Sequence, residues 1–276
     1  MEKNILVVDH ASCATHQIQL YFEGKHVSSA TAFLYRHGGK RFLITNWHNF
    51  SGKNAETGEC ISETAAIPDE FRIVFRTDNT FSNLRGIAFD LYKDADRTQP
   101  EWYEHPIHGS KVDVVAVPFE DAIADAAVEA PAINDDAELR DLDLRASDDA
   151  FVIGFPFVDA GRHVFPVWKR ATIASEPAVD VNSLPLTYID TATRPGFSGA
   201  PVLMRRIGVH FAYPPKLTGT EVIGEVRSLA GVYSGRTGDL RDIGGQIGMM
   251  WKKTAIDQII EAEKFGNSPH WPTDSS

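Results

Sequence analysis

Thr193-Arg194-Pro195-Gly196-Phe197-Ser198-Gly199-Ala200-Pro201 sets a serine between two glycines, with apolar, strand-like runs on either side. A serine hydroxyl is a poor nucleophile near neutral pH. To act, it needs a neighbouring base and N–H donors aimed at the oxygen that becomes negative. Gly196 and Gly199 suit that need, because a backbone without Cβ turns tightly and comes close to a carbonyl. Glycine, proline and serine also crowd ordinary surface turns, so the stretch by itself supports a plain turn equally well.

Two further stretches change the balance. Leu43-Ile44-Thr45-Asn46-Trp47-His48 ends an apolar run in a histidine, and Val112-Asp113-Val114-Val115-Ala116-Val117 sets one carboxylate in an apolar run. Together they supply a base for the Ser198 proton and an acid that orients the base and stabilises its charged form. The chain order is His48, Asp113, Ser198. That differs from the Ser, Asp, His order of α/β-hydrolases and the Asp, His, Ser order of subtilisins.

The three segments resemble those of the trypsin/chymotrypsin-like serine peptidases, in particular compact bacterial members including the HtrA type. Thr45-Asn46-Trp47-His48 is similar to the family's Thr-x-x-His. Asp113-Val114-Val115-Ala116-Val117 is similar to its Asp-x-Ala-hydrophobic strand, and Gly196 to Pro201 to its Gly-x-Ser-Gly-x-Pro. The resemblance implies an all-β fold of two six-stranded antiparallel β-barrels with a C-terminal helix. The first barrel would span residues 11–118 and carry His48 and Asp113; the second, with its closing helix, would span 150–265 and carry Ser198. An acidic linker at 119–149 would join them, and 266–276 would be a polar tail, leaving nothing for an appended PDZ-type module. The resemblance also implies an oxyanion hole from the Gly196 and Ser198 amides, a substrate cleft lined by Ser234, Gly235 and Arg236, and a bond from Ser234 to Asp113. Ala192 would lie at the base of the primary pocket with Thr193 beside it. An uncharged base favours cleavage after small to medium uncharged residues and disfavours basic ones. No cofactor is expected.

Composition agrees with a globular chain. Of 276 residues 43% are hydrophobic, enough for one large core or two modest ones. The formal net charge is −11, and residues 119–150 concentrate eleven acids against Arg140 and Arg145. The remaining surface is nearly neutral, and no basic patch points to nucleic acid or an anionic membrane. The acidic run reads as a solvated face, either a short helix or a mobile linker. No apolar stretch approaches a membrane-spanning length, and Ile5-Leu6-Val7-Val8 is too short for a signal-peptide core, so the expected location is the cytoplasm. Cys13 and Cys60 read as reduced thiols rather than a bridge.

Alternation and turn residues predict strands at 17–22, 32–35, 41–44, 72–75, 87–92, 112–117, 150–156, 163–175, 186–191, 201–205 and 221–234, with a hairpin through His37-Gly38-Gly39-Lys40. Helical spacing of Ile256, Ile259 and Ile260 predicts a helix over 250–265. His105-Pro106-Ile107-His108 offers two imidazoles, but no further ligand stands at recognisable spacing and Pro106 disfavours a helix presenting both, so no metal is expected. Phe197 stands where zymogen-activated relatives carry an aspartate. The resemblance therefore implies an enzyme either active as made or held in check by a protein partner. Trp47 and Ala200 replace commoner small residues. Three readings stay open: a serine endopeptidase acting on protein or peptide, a catalytically silent peptide-binding module on the same fold, and an esterase-like or self-processing hydrolase.

Overall fold

The computed structural model describes residues 7–76, 84–126, 128, 130–156, 165–210, 222–237 and 247–271. The starts of the strands expected from 163 and 221 and the end of the tail at 272–276 lie outside the described residues.

The first half forms a six-stranded antiparallel sheet from β1 (Thr15–Phe22), β2 (Lys25–His37), β3 (Lys40–Thr45), β4 (Glu70–Arg76), β5 (Leu84–Asp90) and β6 (Val115–Pro118). Its strand order is β5-β4-β1-β2-β3-β6. Among the described residues the ladder does not return from β6 to β5, so the expected first barrel is a six-stranded sheet without hydrogen-bonded closure. Period-2 patterning sets its faces: Phe71, Ile73 and Phe75 are buried, whereas Arg72 and Val74 between them are exposed. The inner face packs an aromatic cluster in which Phe50 lies 5.4 Å from Phe71 and 5.7 Å from Trp102. β2 and β3 meet in the expected hairpin, with His37 opposite Lys40 across Gly38 and Gly39. Asp113 lies just before β6 rather than within it, because regular pairing begins at Val115.

The second half closes into a barrel from β7 (Asp149–Gly154), β8 (Val167–Ile173), β9 (Leu186–Asp190), β10 (Pro201–His210), β11 (Val222–Arg236) and β12 (Ile247–Lys252), in the order β10-β11-β12-β9-β8-β7. β12 corrects the sequence reading, which placed residues 250–252 in a helix. Ile247–Lys252 instead bridges β11 and β9, and the helix α4 begins at Lys253 and ends at Ala262. Ala255, Ile256, Ile259 and Ile260 form its buried stripe. A shared core of Phe33, Tyr35 and Ile44 from the first sheet, Leu203 and Val232 from the second, and this stripe joins the two halves.

Residues 119–149 are more ordered than a solvated linker. Phe119, Ile123, Ala130, Ala132 and Ile133 are buried, on and beyond the helix α3 (Glu120–Ala126). The acids face arginines of both halves: Glu120 binds Arg41, Asp135 binds Arg36, Glu138 binds Arg227, and Asp148 binds Arg206. The segment expected as a polar tail is likewise bonded, here to residues 91–114 between β5 and β6. Gly266 N–H donates to Trp102 O at 3.0 Å, and the Trp271 indole donates to Asp96 O at 2.9 Å.

Candidate active site

β3 delivers the chain through Asn46 into a single helical turn, α2 (Trp47–Ser51), whose second residue is His48. Gly52 closes that turn in the left-handed conformation. Asp113 answers from the segment leading into β6. Its Oδ1 accepts the His48 backbone N–H at 2.8 Å and its Oδ2 accepts from His48 Nδ1 at 2.6 Å. A second donor, the Ser234 hydroxyl at the end of β11, reaches the same Oδ2 at 2.5 Å. The Asn46 side-chain amide donates to Asp113 O at 2.7 Å, which fixes the backbone beneath the carboxylate. Asp113 is only 4% exposed, so its charge is accommodated by these donors rather than by water. With Nδ1–H given to Asp113, His48 holds Nε2 as the nitrogen able to accept a proton.

Ser198 comes from the second barrel, in the turn before β10. Its backbone carbonyl accepts from Thr31 N–H at 2.9 Å and from the Asn49 side-chain amide at 3.4 Å, so the serine loop is tied to the strand and the helical turn of the opposite half. Its hydroxyl donates to Ser234 O at 3.4 Å; among the described residues no hydrogen bond joins it to the His48 ring. Neither the Gly196 nor the Ser198 N–H donates to any protein acceptor among the described residues, which leaves two donors for a bound oxygen. Gly196 has a φ of 99°, and a Cβ there would lie 2.2 Å from Phe155 O. Only glycine fits this close approach. Gly199 is equally constrained, with a Cβ position 2.1 Å from Thr31 O.

No protein-family profile matches the chain, and no curated protein does. Among solved structures, the serine endoprotease from Yersinia pestis superimposes on 93% of this chain and 67% of its own, at 10% identity and a TM-score of 0.50. The chain has the chymotrypsin-like fold. A thermostable serine protease, AL20, from an extremophilic microorganism aligns over 92% of this chain and 98% of its own at 10% identity with a TM-score of 0.49. The Rv3671c protease, solved in an inactive form, aligns over 91% and 89% at 13% identity with a TM-score of 0.44.

Within this chymotrypsin-like fold, a cleft of about 510 Å³ opens beside the histidine, lined by His48, Asp113, Ser234, Gly235 and Arg236 together with apolar Tyr188, Met249 and Trp251. Of the residues expected to line the cleft, Ser234, Gly235 and Arg236 are therefore there. β11 pairs with β10 as far as Val232 and with β12 as far as Arg236, so one edge of residues 234–236 has no strand partner among the described residues. Such an edge accepts an extended peptide by main-chain bonding. Ala192 and Thr193 do not line that cleft: Ala192 is exposed, whereas Thr193 is buried, its hydroxyl bonded to the Tyr233 hydroxyl.

Among the described residues no group of three or more metal-ligating side chains forms around the His105–His108 pair. His105 Nδ1 accepts the Ile107 and His108 N–H groups at 3.3 and 3.2 Å, and its other nitrogen bonds Gln258 at 2.9 Å, which uses both ring nitrogens. No disulfide joins Cys13 and Cys60. Phe197 is buried in the core of the second barrel rather than facing an ion partner. Two supporting residues escaped the sequence reading. The Thr31 hydroxyl donates to Gly196 O at 2.7 Å and accepts from Phe155 N–H at 3.0 Å. Glu104 accepts from the indoles of Trp47 and Trp102 at 2.9 and 3.1 Å, anchoring the residue before His48. Thr31 lies 165 residues from its acceptor, with no local pattern to mark it. Glu104, by contrast, was a lone carboxylate between Trp102-Tyr103 and His105, a position where an acid would not stand without partners.

Proposed function

We propose that the protein is a serine endopeptidase. The observation that carries this reading is the His48 Nδ1–Asp113 Oδ2 bond of 2.6 Å, set opposite a serine loop whose Gly196 and Ser198 N–H groups have no protein acceptor among the described residues. Ser198 Oγ attacks the peptide carbonyl while its proton passes to His48 Nε2, and the two N–H groups bind the oxyanion. Collapse breaks the C–N bond, His48 gives its proton to the departing amine, and Ser198 is left as an ester. Water then attacks the ester with His48 again taking the proton, releasing the acid and restoring the serine. Asp113 holds the imidazole in the tautomer this cycle requires and offsets its positive charge. The substrate is an extended peptide laid along residues 234–236.

A peptidyl diphenyl phosphonate tests this reading, because Ser198 Oγ displaces phenoxide from phosphorus to give a stable adduct read by intact mass. The wild type is expected to label at Ser198. Ser198→Ala is expected to fold with unchanged Tm, to resist labelling, and to lose turnover by orders of magnitude, about 10⁶ in a comparable serine removal. Full peptidase activity in Ser198→Ala would sink the reading. Phe197 offers no carboxylate for a newly cut amino terminus, so labelling is expected without prior nicking. The bond from Ser198 Oγ to Ser234 O in place of His48 favours a second reading, a silent peptide-binding module. Binding of peptide without any phosphonate adduct would select it.

A further inference from the structure

On the endopeptidase reading, the side chain beside the attacked carbonyl needs space next to Ser198, where the serine turn meets the end of β11 through the Gly199 N–H bond to Tyr233 O and the Thr193–Tyr233 hydroxyl pair. Here that space is occupied. Tyr233 is 1% exposed, and its hydroxyl bonds the Thr193 hydroxyl across the gap. Its ring lies against β12: a Cβ built on Gly248 would come 2.8 Å from Tyr233 Cε2, and 3.2 Å from both Ile189 and Thr191. Thr191 and Thr193 are themselves 4% and 5% exposed, so no opening remains around the ring. The Tyr233 backbone is pinned as well, with N–H given to Ala200 O at 2.8 Å and its carbonyl accepting from Gly199 N–H at 2.9 Å. The ring is held where it is by the Thr193 bond and by the packing of β9 and β12 around it. Burial raises the pKa of the phenol, and the Thr193 bond only partly counters this, so the plug is neutral throughout the working pH range.

We infer that Tyr233 determines specificity by filling the primary pocket, restricting the residue that precedes the cleaved bond to glycine, alanine or serine. This rests on the endopeptidase reading and narrows its substrate class. It also replaces Ala192 as the pocket's limiting residue, since Ala192 is exposed. Open volume is found instead in the cleft of about 510 Å³ that Ser234 lines together with Tyr188, Met249 and Trp251. β11 pairs antiparallel with both β10 and β12, and a peptide added in the same sense to residues 234–236 runs its earlier residues toward Arg236, along that cleft. Probes for this site thus carry leucine at upstream positions.

The test uses two peptidyl phosphonates with identical upstream residues, one with alanine and one with phenylalanine next to phosphorus, and compares their second-order labelling rates at Ser198. In the wild type the alanine probe is expected to react about a hundredfold faster or more, the range over which shape alone discriminates well. Tyr233→Ala is expected to lower that ratio at least tenfold by gaining reaction with the phenylalanine probe, while Tyr233→Phe, which keeps the ring, should retain it. If Tyr233→Ala does not fold, the wild type and Tyr233→Phe still decide the matter. Equal or faster labelling of wild type by the phenylalanine probe overturns the inference alone, as does a gain of that reaction in Tyr233→Phe. Failure of both probes to label the wild type removes the endopeptidase reading and this inference with it.

Discussion

Glu104 shows how a single buried residue supports the candidate site next to it. Its carboxylate is 5% exposed and takes both indole N–H groups on the same oxygen, which places Trp47 and hence the turn bearing His48. Burial raises its pKa, and the indole bonds only partly oppose that. Below the ordinary carboxyl pKa both folded and unfolded chains hold the proton. As pH rises from there toward the raised folded value, the unfolded chain releases its proton first, so this residue's contribution to stability is lost with rising pH. Glu104→Gln keeps an acceptor oxygen for the indoles and has no proton to lose. Its melting temperature is therefore expected to fall less than the wild type's between pH 4 and pH 8. A wild-type-like fall measured by calorimetry would refute the assignment. Glu104→Ala leaves two buried donors without acceptors and is expected to cost about 2–5 kcal/mol in denaturant unfolding. Trp47 stood out in the sequence as an unusual neighbour of the histidine, yet nothing in the sequence linked it to Glu104, which lies two strands further along the chain.

At the scale of elements, the sequence pattern revealed strands wherever alternation was clean and failed where one residue set served two periods. Met250 and Trp251 fit a helix continuing into α4, but in β12 they pair with Tyr233 and Val232 of β11 and with Thr187 and Leu186 of β9, and tertiary pairing overrode the local pattern. Charge misled in another way. An acid-rich segment reads as solvated when its partners are distant in sequence, and here they are arginines on both sheets. Glu120 is the clearest case: its bonds with the Arg41 guanidinium and Arg41 N–H hold its pKa down to about 2. A depressed folded pKa contributes stability above the ordinary carboxyl value and loses it as pH falls toward about 2. The side chain is 38% exposed, so solvent screens the pair and the effect is modest. Glu120→Gln is expected to lower the melting temperature slightly at pH 7 and to reduce the further drop on going to pH 3. Parallel acid titrations of wild type and variant, followed by circular dichroism, check this; identical acid slopes would show that the pair is not coupled to folding.

The site exists only when both halves of the molecule are in register, because His48 and Asp113 stand on one half and Ser198 on the other. The sequence showed the three residues and their order, but not what aligns the halves, since the aligning bonds run between residues without recognisable motifs. Thr31 is the central one. From β2 it gives its backbone N–H to Ser198 O and its hydroxyl to Gly196 O, and it accepts from Phe155 N–H, so one buried threonine grips the serine loop from the first sheet and links it to the chain leaving β7. It is 0% exposed, so no water replaces the hydroxyl if it is removed. Thr31→Val keeps shape and the backbone bond while leaving Gly196 O and Phe155 N–H unpaired, at a cost of about 1–3 kcal/mol. A structural role alone would lower the melting temperature and leave the chemistry intact once the protein is folded. Positioning of the Gly196 turn adds a second effect: well below the melting temperature, the phosphonate labelling rate of Thr31→Val is expected to drop about tenfold or more, as donors misplaced by a fraction of an ångström lose hold of the oxyanion. Thr31→Ser restores the hydroxyl without the methyl group and is expected to recover most of the rate even where it recovers less of the stability. A Thr31→Val protein that melts earlier yet labels at the wild-type rate would reduce Thr31 to a packing residue and leave the alignment of the halves to the shared apolar core.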